Sequence, residues 1–330
     1  MNSGSIDVVG IGNAIVDVLA RATPEFLIRH DLSHGSMTLI DGPRADSLYA
    51  AMGPGVEVSG GSAANTMAGI ASLGGRAAYI GKVKDDHLGK VFRHDLRAAG
   101  VVFDTIPADG GASTARCLIF VTPDAQRTMA TFLGASVALG PGDVDASLIA
   151  RAQVTYLEGY LWDPPRAKEA FRKAIAIAHD AGRQVALSLS DAFCVNRYRA
   201  EFRELVSKDI DILFANESEL LALYEARDFD SALQQVRRDG TTAALTRSAK
   251  GSVVVRDHEV HVIDAATRGP VVDTTGAGDL YAAGFLYGLT KGRDLRTCGR
   301  LGSLAAGEVI SHFGARPETS LAMLAAALSP

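Results

Sequence analysis

The chain has 330 residues, of which 47% are apolar and 22% charged, with 34 glycines against 11 prolines. This is globular composition with about two domains' worth of material, which argues against disorder, collagen-like repeats and coiled coil. A formal net charge of −5 gives no general electrostatic reason to bind DNA or another polyanion.

The opening MNSGSIDVVG lacks the basic stretch and apolar core of a secretory signal. The stretch Ile15–Ser59 is rich in turns, such as Asp41-Gly42-Pro43 and Gly53-Pro54-Gly55, around short apolar pieces such as Met37–Ile40. From about Ser62 onward, apolar runs of strand length alternate with helical patterns. Ala77–Gly81 reads as a short buried strand, followed by a helix over His87–Ala99 with Leu88, Val91, Phe92 and Leu96 spaced three or four apart. Ala115–Val121 and Thr128–Leu133 read as two strands joined at Thr122-Pro123-Asp124. Strands at Val154–Glu158, Val185–Leu189, Ile210–Phe214 and Ala243–Thr246 then alternate with helices that include Pro165–Ala181. Asp279–Thr290 and Leu295–Ile310 are the last strong helices. This order predicts an α/β fold, a doubly wound and mostly parallel sheet flanked by helices. The predicted core is residues 1–16, 60–111 and 134–330, and 17–59 with 112–133 form a small β-rich lid. No run approaches the roughly 18–20 apolar residues that span a bilayer. Cys117, Cys194 and Cys298 make neither a disulfide framework nor a CxxC pair. A reduced, soluble, cytoplasmic protein is expected, with no nucleic-acid or membrane partner.

Several familiar signatures fail. Gly10-Ile11-Gly12 follows the first strand, but the dinucleotide fingerprint would need glycine at Ile15. Gly81-Lys82-Val83 resembles the end of a phosphate loop, yet Val83 is not Ser or Thr and Arg76 stands where the first glycine belongs. Ala64 replaces the last glycine of a nucleophile elbow in Gly60-Gly61-Ser62-Ala63-Ala64. His258 and His261 are three apart on a β-branched stretch and read as surface residues, not metal ligands.

Four segments hold. Val271-Val272-Asp273-Thr274-Thr275-Gly276-Ala277-Gly278-Asp279 runs from a strand-like piece through a glycine turn into a helix. Such a turn aims backbone N–H groups at an anion, and Asp279 in the first helical turn suits a base that takes the proton of an attacking hydroxyl. A glycine turn with Asp279 merely complementing the helix dipole fits the same residues. Gly60-Gly61-Ser62-Ala63-Ala64-Asn65 opens a helix of small residues that a ligand, or a packed sheet, could approach closely. Asn13 and Asp17 are polar residues in an apolar setting at the carboxyl end of the first strand, where Asp17 could read a vicinal diol or serve a turn. Asn216-Glu217-Ser218-Glu219 has the spacing of a capping box and equally the oxygen donors to orient water around a magnesium–phosphate complex.

Taken in order, Gly60-Gly61 with Asn65, Asn216 with Glu219, and Asp273 to Asp279 resemble the PfkB carbohydrate kinases, the ribokinase-like family, across essentially the whole chain. Within it, Gly12-Asn13-Ala14-Ile15-Val16-Asp17, Arg127 before an apolar run, and Asp211-Ile212-Leu213-Phe214-Ala215-Asn216-Glu217 look most like adenosine kinases. The resemblance implies a ribokinase-like core with a β lid, and transfer of the γ-phosphoryl group of ATP to a primary hydroxyl with Mg2+ and, in many members, activation by K+. It implies that Asp279 is the base, that Gly276, Ala277 and Gly278 form the anion hole, and that Arg127 approaches the phosphates. Asn13, Asp17, Gly61 and Asn65 would hold sugar hydroxyls. Asn216, Thr246 and Gly251, with Gly276 and Gly278, would contact the nucleotide, and Asn216 and Glu219 would reach Mg2+ through water. Asp273 and Thr275, with the loop near Ser311–Gly314, would hold a monovalent cation. Met37, Leu39, Phe132, Leu133 and Leu161 could supply apolar surface for a nucleobase, with Tyr160 or Trp162 either stacking there or packing in the core. Ser248 stands where many relatives carry glycine. The expected reaction is phosphorylation of the 5′-hydroxyl of a purine nucleoside, foremost adenosine. A kinase of a free sugar, ribose or fructose, and a non-catalytic nucleoside or nucleotide sensor are the alternatives. The chain would act on a small-molecule substrate as monomer or homodimer.

Overall fold

Ile6–Ile11 (β1) is six buried residues in a row, as expected for a strand covered on both faces. In the computed structural model, which describes residues 5–124 and 126–327, β1 lies inside a nine-stranded sheet. Residues 1–4 and 328–330, at the ends of the expected core, fall outside the described residues. On one side β1 pairs in parallel with β5 (Ala77–Ile80), which is followed by β6 (Val102–Phe103). On the other come β9 (Ala152–Glu158), β10 (Gln184–Ser188), β11 (Ile212–Asn216) and β12 (Thr242–Thr246), all parallel. An antiparallel edge closes it with β13 (Ser252–Arg256) and β14 (Glu259–Ile263). Alternation along β1 sends Val8 into one core and Val9 into the other, so each face of the sheet has its own apolar layer.

A second, five-stranded sheet has the order β3 (Met37–Leu39), β8 (Arg127–Phe132), β7 (Ala115–Val121), β2 (Ile15–Arg21), β4 (Val56–Gly60). Of its strands, β2 begins at Ile15 and β4 ends at Gly60, slightly outside the expected 17–59, while β7 and β8 fall within the expected 112–133. Register fixes its two faces. Val58, Asp17, Cys117, Thr131 and Leu39 form one cross-strand row, so Arg127, Met129, Met37 and Leu19 share their face. Val16, Val18, Leu118, Phe120 and Ala130 lie on the other face, buried with Leu48 of the helix Gly42–Ala51. No helix among the described residues is long and apolar enough to cross a membrane.

The helices Ser62–Ser72, Ala277–Thr290 and Leu295–Val309 pack so closely on one face that glycine is required between them. A Cβ on Gly69 would lie 2.6 Å from Leu280 and 2.7 Å from Ala283, and one on Gly284 would lie 2.3 Å from the Leu301 carbonyl oxygen. Gly142, by contrast, faces open space. Gly284→Ala is therefore expected to destabilise the fold by roughly 1–3 kcal/mol, while Gly142→Ala stays within about 0.5 kcal/mol of the parent. Urea denaturation of both variants checks the contrast, and equal midpoints would remove this account of the packing.

Candidate active site

The carboxyl ends of β1, β9, β11 and β12 bring Asn13, Glu158, Asn216 and Thr246 to one edge of the large sheet, where open parallel sheets place ligands. The chain leaves this sheet at Gly12–Ala14 and returns from the second sheet at Gly60-Gly61. The two crossings touch backbone to backbone. Gly61 has φ +88°, and a Cβ there would sit 2.3 Å from the Asn13 carbonyl oxygen.

Gly61 is the N-cap of the helix Ser62–Ser72 and has no side chain to cap it. Glu158 performs that task from β9. Its carboxylate accepts from the Ala63 amide (2.8 Å), the Asn13 amide (3.2 Å) and Asn13 Nδ2 (2.9 Å). The group is fully buried, and desolvation pushes its pKa up to about 7 despite those donors. Sequence reasoning placed Glu158 only as the end of a strand; an acid closing the apolar run Val154–Leu157 was the available signal.

The helix Ala277–Thr290 starts at Gly276, which holds φ +78° and leaves no room for a Cβ beside Ala315. The Ala277 amide, expected in the anion hole, is instead taken by Thr274 O at 3.2 Å, while the amides of Gly278 and Asp279 find no acceptor among the described residues. Those two point the positive end of the helix outward, beside open space at Gly278. Asp279 is held from the neighbouring helix, accepting from Ser62 Oγ (2.6 Å) and Asn65 Nδ2 (3.0 Å). Desolvation raises its pKa, and the Ser62 and Asn65 bonds and the Arg316 charge act against that rise. Asn65 Oδ1 and Asn13 Oδ1 are buried without partners. Asp17 faces the same place from β2, its carboxyl pushed up to about 7 by burial against the pull of Arg316 and Arg127.

Several expected roles change on inspection. Arg127 stacks over Phe313 (5.7 Å) and is bound to Asp273 and to Thr275 Oγ1 (2.8 Å), so it does not stand free in the cleft. Asp273 Oδ1 also accepts from the Thr275 amide and hydroxyl, and Oδ2 from the Gly314 amide (2.9 Å). Both oxygens are thus engaged and their charge is matched by a guanidinium. Asp273 and Thr275 do not fit a monovalent cation in this arrangement. Leu161 is fully buried beside Trp162 on a short helical turn, and so cannot touch a nucleobase; Trp162 packs on Phe171 and Phe202 and donates to Glu201. Phe132 falls on the opposite face of the second sheet from Asp17, against Gly42, because side chains alternate along β8. Met37 and Leu39 do share the Asp17 face and are each 46% exposed, and Met129 and Leu19, which sequence reasoning did not single out, lie with them.

Asn216 and Glu219 form the capping box, each side chain bonded to the other's amide. Burial, with Asp191 and Asp279 nearby, pushes Glu219 up to about 7. No group of three or more His, Cys, Asp or Glu side chains is arranged to hold a metal directly among the described residues. Both Glu219 oxygens and Asn216 Oδ1 are engaged within the box, so the pair would meet a hard divalent ion through that ion's own waters. Thr246 ends β12, and Gly251 holds φ +80° where a Cβ would meet the Ile263 carbonyl oxygen at 2.0 Å. Ser248 keeps a left-handed φ of +52° in the turn between them.

Asp17, Glu158 and Glu219 all hold their protons to about pH 7, above the ordinary 3.8–4.5. The folded chain therefore binds protons that the unfolded chain has released, and stability falls as pH rises from about 4.5 to 7. Denaturation midpoints of ligand-free protein between pH 5 and 8 should decline, with a shallower slope in Glu219→Gln. Midpoints that rise across this range would contradict the assignment.

A profile of the pfkB family carbohydrate kinases matches residues 45–321. The chain is 57% identical to the adenosine kinase of Sinorhizobium meliloti, whose crystal structure superposes with a TM-score of 0.92 over 99% of this chain and 100% of that one. It is 52% identical to a probable sugar kinase protein of Rhizobium etli, again with a TM-score of 0.92, over 98% and 99% of the two chains. It is also 27% identical to the adenosine kinase of Saccharomyces cerevisiae, over 93% of this chain and 95% of the yeast protein. With this site at the strand ends of a doubly wound sheet, the chain belongs to the pfkB family of carbohydrate kinases and is an ATP-dependent kinase.

Proposed function

We propose that this kinase phosphorylates the 5′-hydroxyl of a purine nucleoside, foremost adenosine. The observation that carries the reading is the Asp279 carboxylate, fixed between two helix N-termini and beside two unpaired amides. The acceptor hydroxyl gives its proton to Asp279 as its oxygen attacks the γ-phosphorus. The bond from that phosphorus to the β,γ-bridging oxygen breaks, and ADP leaves. The amides of Gly278 and Asp279 stabilise the oxygens of the transferring group, as a preorganised anion hole does. Asn216 and Glu219 would hold a divalent ion through its waters, and that ion would neutralise charge on the phosphates.

Asp17, Asn65 and Asn13 suit the sugar. The orphan Oδ1 atoms of the two asparagines are acceptors in want of donors, which hydroxyls provide. The apolar row of Leu39 and Met37, with Met129 and Leu19 on the same face, suits the nucleobase and favours a nucleoside over a free sugar. The 57% identity with a protein named adenosine kinase supports the same choice. Closing the second sheet over the cleft would exclude water as a competing acceptor.

ADP release from ATP and Mg2+ with adenosine, guanosine, inosine, cytidine, ribose and fructose tests the substrate. Turnover is expected with purine nucleosides, and turnover with free sugars alone would overturn the nucleoside reading. Asp279→Asn should lose roughly 10²–10⁴-fold in kcat while ATP binding, read by calorimetry, is retained. Near-full activity in that variant would reject Asp279 as the base. Leu39→Gln is expected to raise the nucleoside KM several-fold with kcat nearly unchanged, and an unchanged KM would move the base elsewhere.

A further inference from the structure

The segment after the last long helix, Ser311–Thr319, has no regular secondary structure, yet it touches most parts of the site. It is anchored by Glu308, whose buried carboxylate accepts from the amides of Glu318 (3.0 Å) and Thr319 (2.8 Å). From that anchor Phe313 lies against Arg127, the Gly314 amide binds Asp273, and Ala315 packs against Gly276 of the anion turn. Arg316 reaches furthest. Its Nε and Nη2 donate to Ser59 O (3.1 and 3.0 Å), Nη2 also to Ser59 Oγ (3.1 Å), and Nη1 to Ala64 O (2.8 Å). Ser59 belongs to β4, just before the return crossing, and Ala64 to the first turn of the helix that holds Asp279.

We propose that Arg316 is a positioning residue of this kinase, whose guanidinium fork clamps the return strand of the second sheet to the helix carrying Ser62 and Asn65 and so fixes the Asp17 face relative to Asp279. The planar fork matters because two acceptors on different elements must be met at once. The same group also carries charge. The ionisable groups facing Asp279 are Asp17 of β2, Tyr156 and Glu158 of β9, Tyr160 beyond it, Glu219 and Arg316. Those facing Arg316 are Asp17, Asp279, Tyr79 and Asp95, and Arg127 and Cys117 complete the set around Asp17. Among the described residues, Arg316 faces Asp17 and Asp279 together, and it favours the charged form of each. This role rests on Asp279 acting as the base.

The test is kcat/KM against pH from 5 to 9, with the acceptor KM, for the parent, Arg316→Gln and Arg316→Lys, using adenosine as acceptor or whichever panel member turns over. Arg316→Gln should lower kcat/KM by about tenfold or more and move the acid limb upward by about one pH unit, as loss of a nearby opposite charge does. Arg316→Lys should restore the limb while leaving the acceptor KM raised, because an ammonium cannot span Ser59 and Ala64. A folded Arg316→Gln enzyme with the parent's acid limb would overturn the proposal and leave a structural arginine. If that variant fails to fold, a parental acceptor KM in Arg316→Lys would overturn it instead. Failure of the base assignment is read separately, as activity surviving in Asp279→Asn.

Discussion

Two helices that begin at the same point govern this molecule. The helix Ser62–Ser72 arrives from the second sheet, and the helix Ala277–Thr290 follows the glycine turn near the end of the chain. Their first turns meet at one carboxylate, Asp279, which accepts from Ser62 and Asn65 across more than 200 residues of sequence. A carboxylate between two positive helix ends, with two backbone amides left free beside it, is a local concentration of N–H donors around a base. Much of the architecture serves to bring those two ends together. Gly69 admits Leu280 and Ala283 between the helices, and Gly276 and Gly61 make the turns that start them.

Bringing helix starts together leaves uncapped amides and crowded backbone, and two buried ionisable side chains, one acidic and one basic, resolve this. Glu158 takes the place of the cap that Gly61 lacks and ties Asn13 to it. Arg316 satisfies carbonyls on the strand and the helix that flank the same crossing. Each is stabilising only while its partners are present, since a buried ionic group stripped of them costs several kcal/mol. The crossings are therefore well defined, although each carries only a few residues. Asp273 shows the same economy of charge. Its two oxygens bind the turn, the C-terminal segment and Arg127, so one carboxylate joins three separate stretches of chain.

Local order was readable from the sequence because it depends on near neighbours. The alternation of apolar runs with helical spacing marks β5 and β9 to β12 within two residues but not the two-residue β6, and Asn216 with Glu219 is the capping box its spacing suggests. The family and its ATP-dependent chemistry were legible in the glycine turn, the second glycine pair and their order. What the sequence hid depends on distance. Glu158 looked like a strand end, because its partners Asn13 and Ala63 lie 145 and 95 residues away. Arg127 seemed free to meet phosphates, because nothing near it announces Asp273. Leu161 and Phe132 are apolar side chains that the sequence leaves able to face a ligand. A short helical turn buries the first, and a one-residue step along β8 turns the second away. Met129 was overlooked for the complementary reason: its exposure to the Asp17 face follows from register with β7, which no single strand reveals.

The central claim is that Asp279 and the adjoining amides pass the γ-phosphoryl group to a nucleoside hydroxyl and not to water. Transfer of label from γ-labelled ATP to adenosine, with the product's phosphorylated position read by NMR, tests this most directly. The account requires label in a 5′-monoester, formed in step with ADP and absent without acceptor. Label appearing only as inorganic phosphate, or on another hydroxyl, would contradict it.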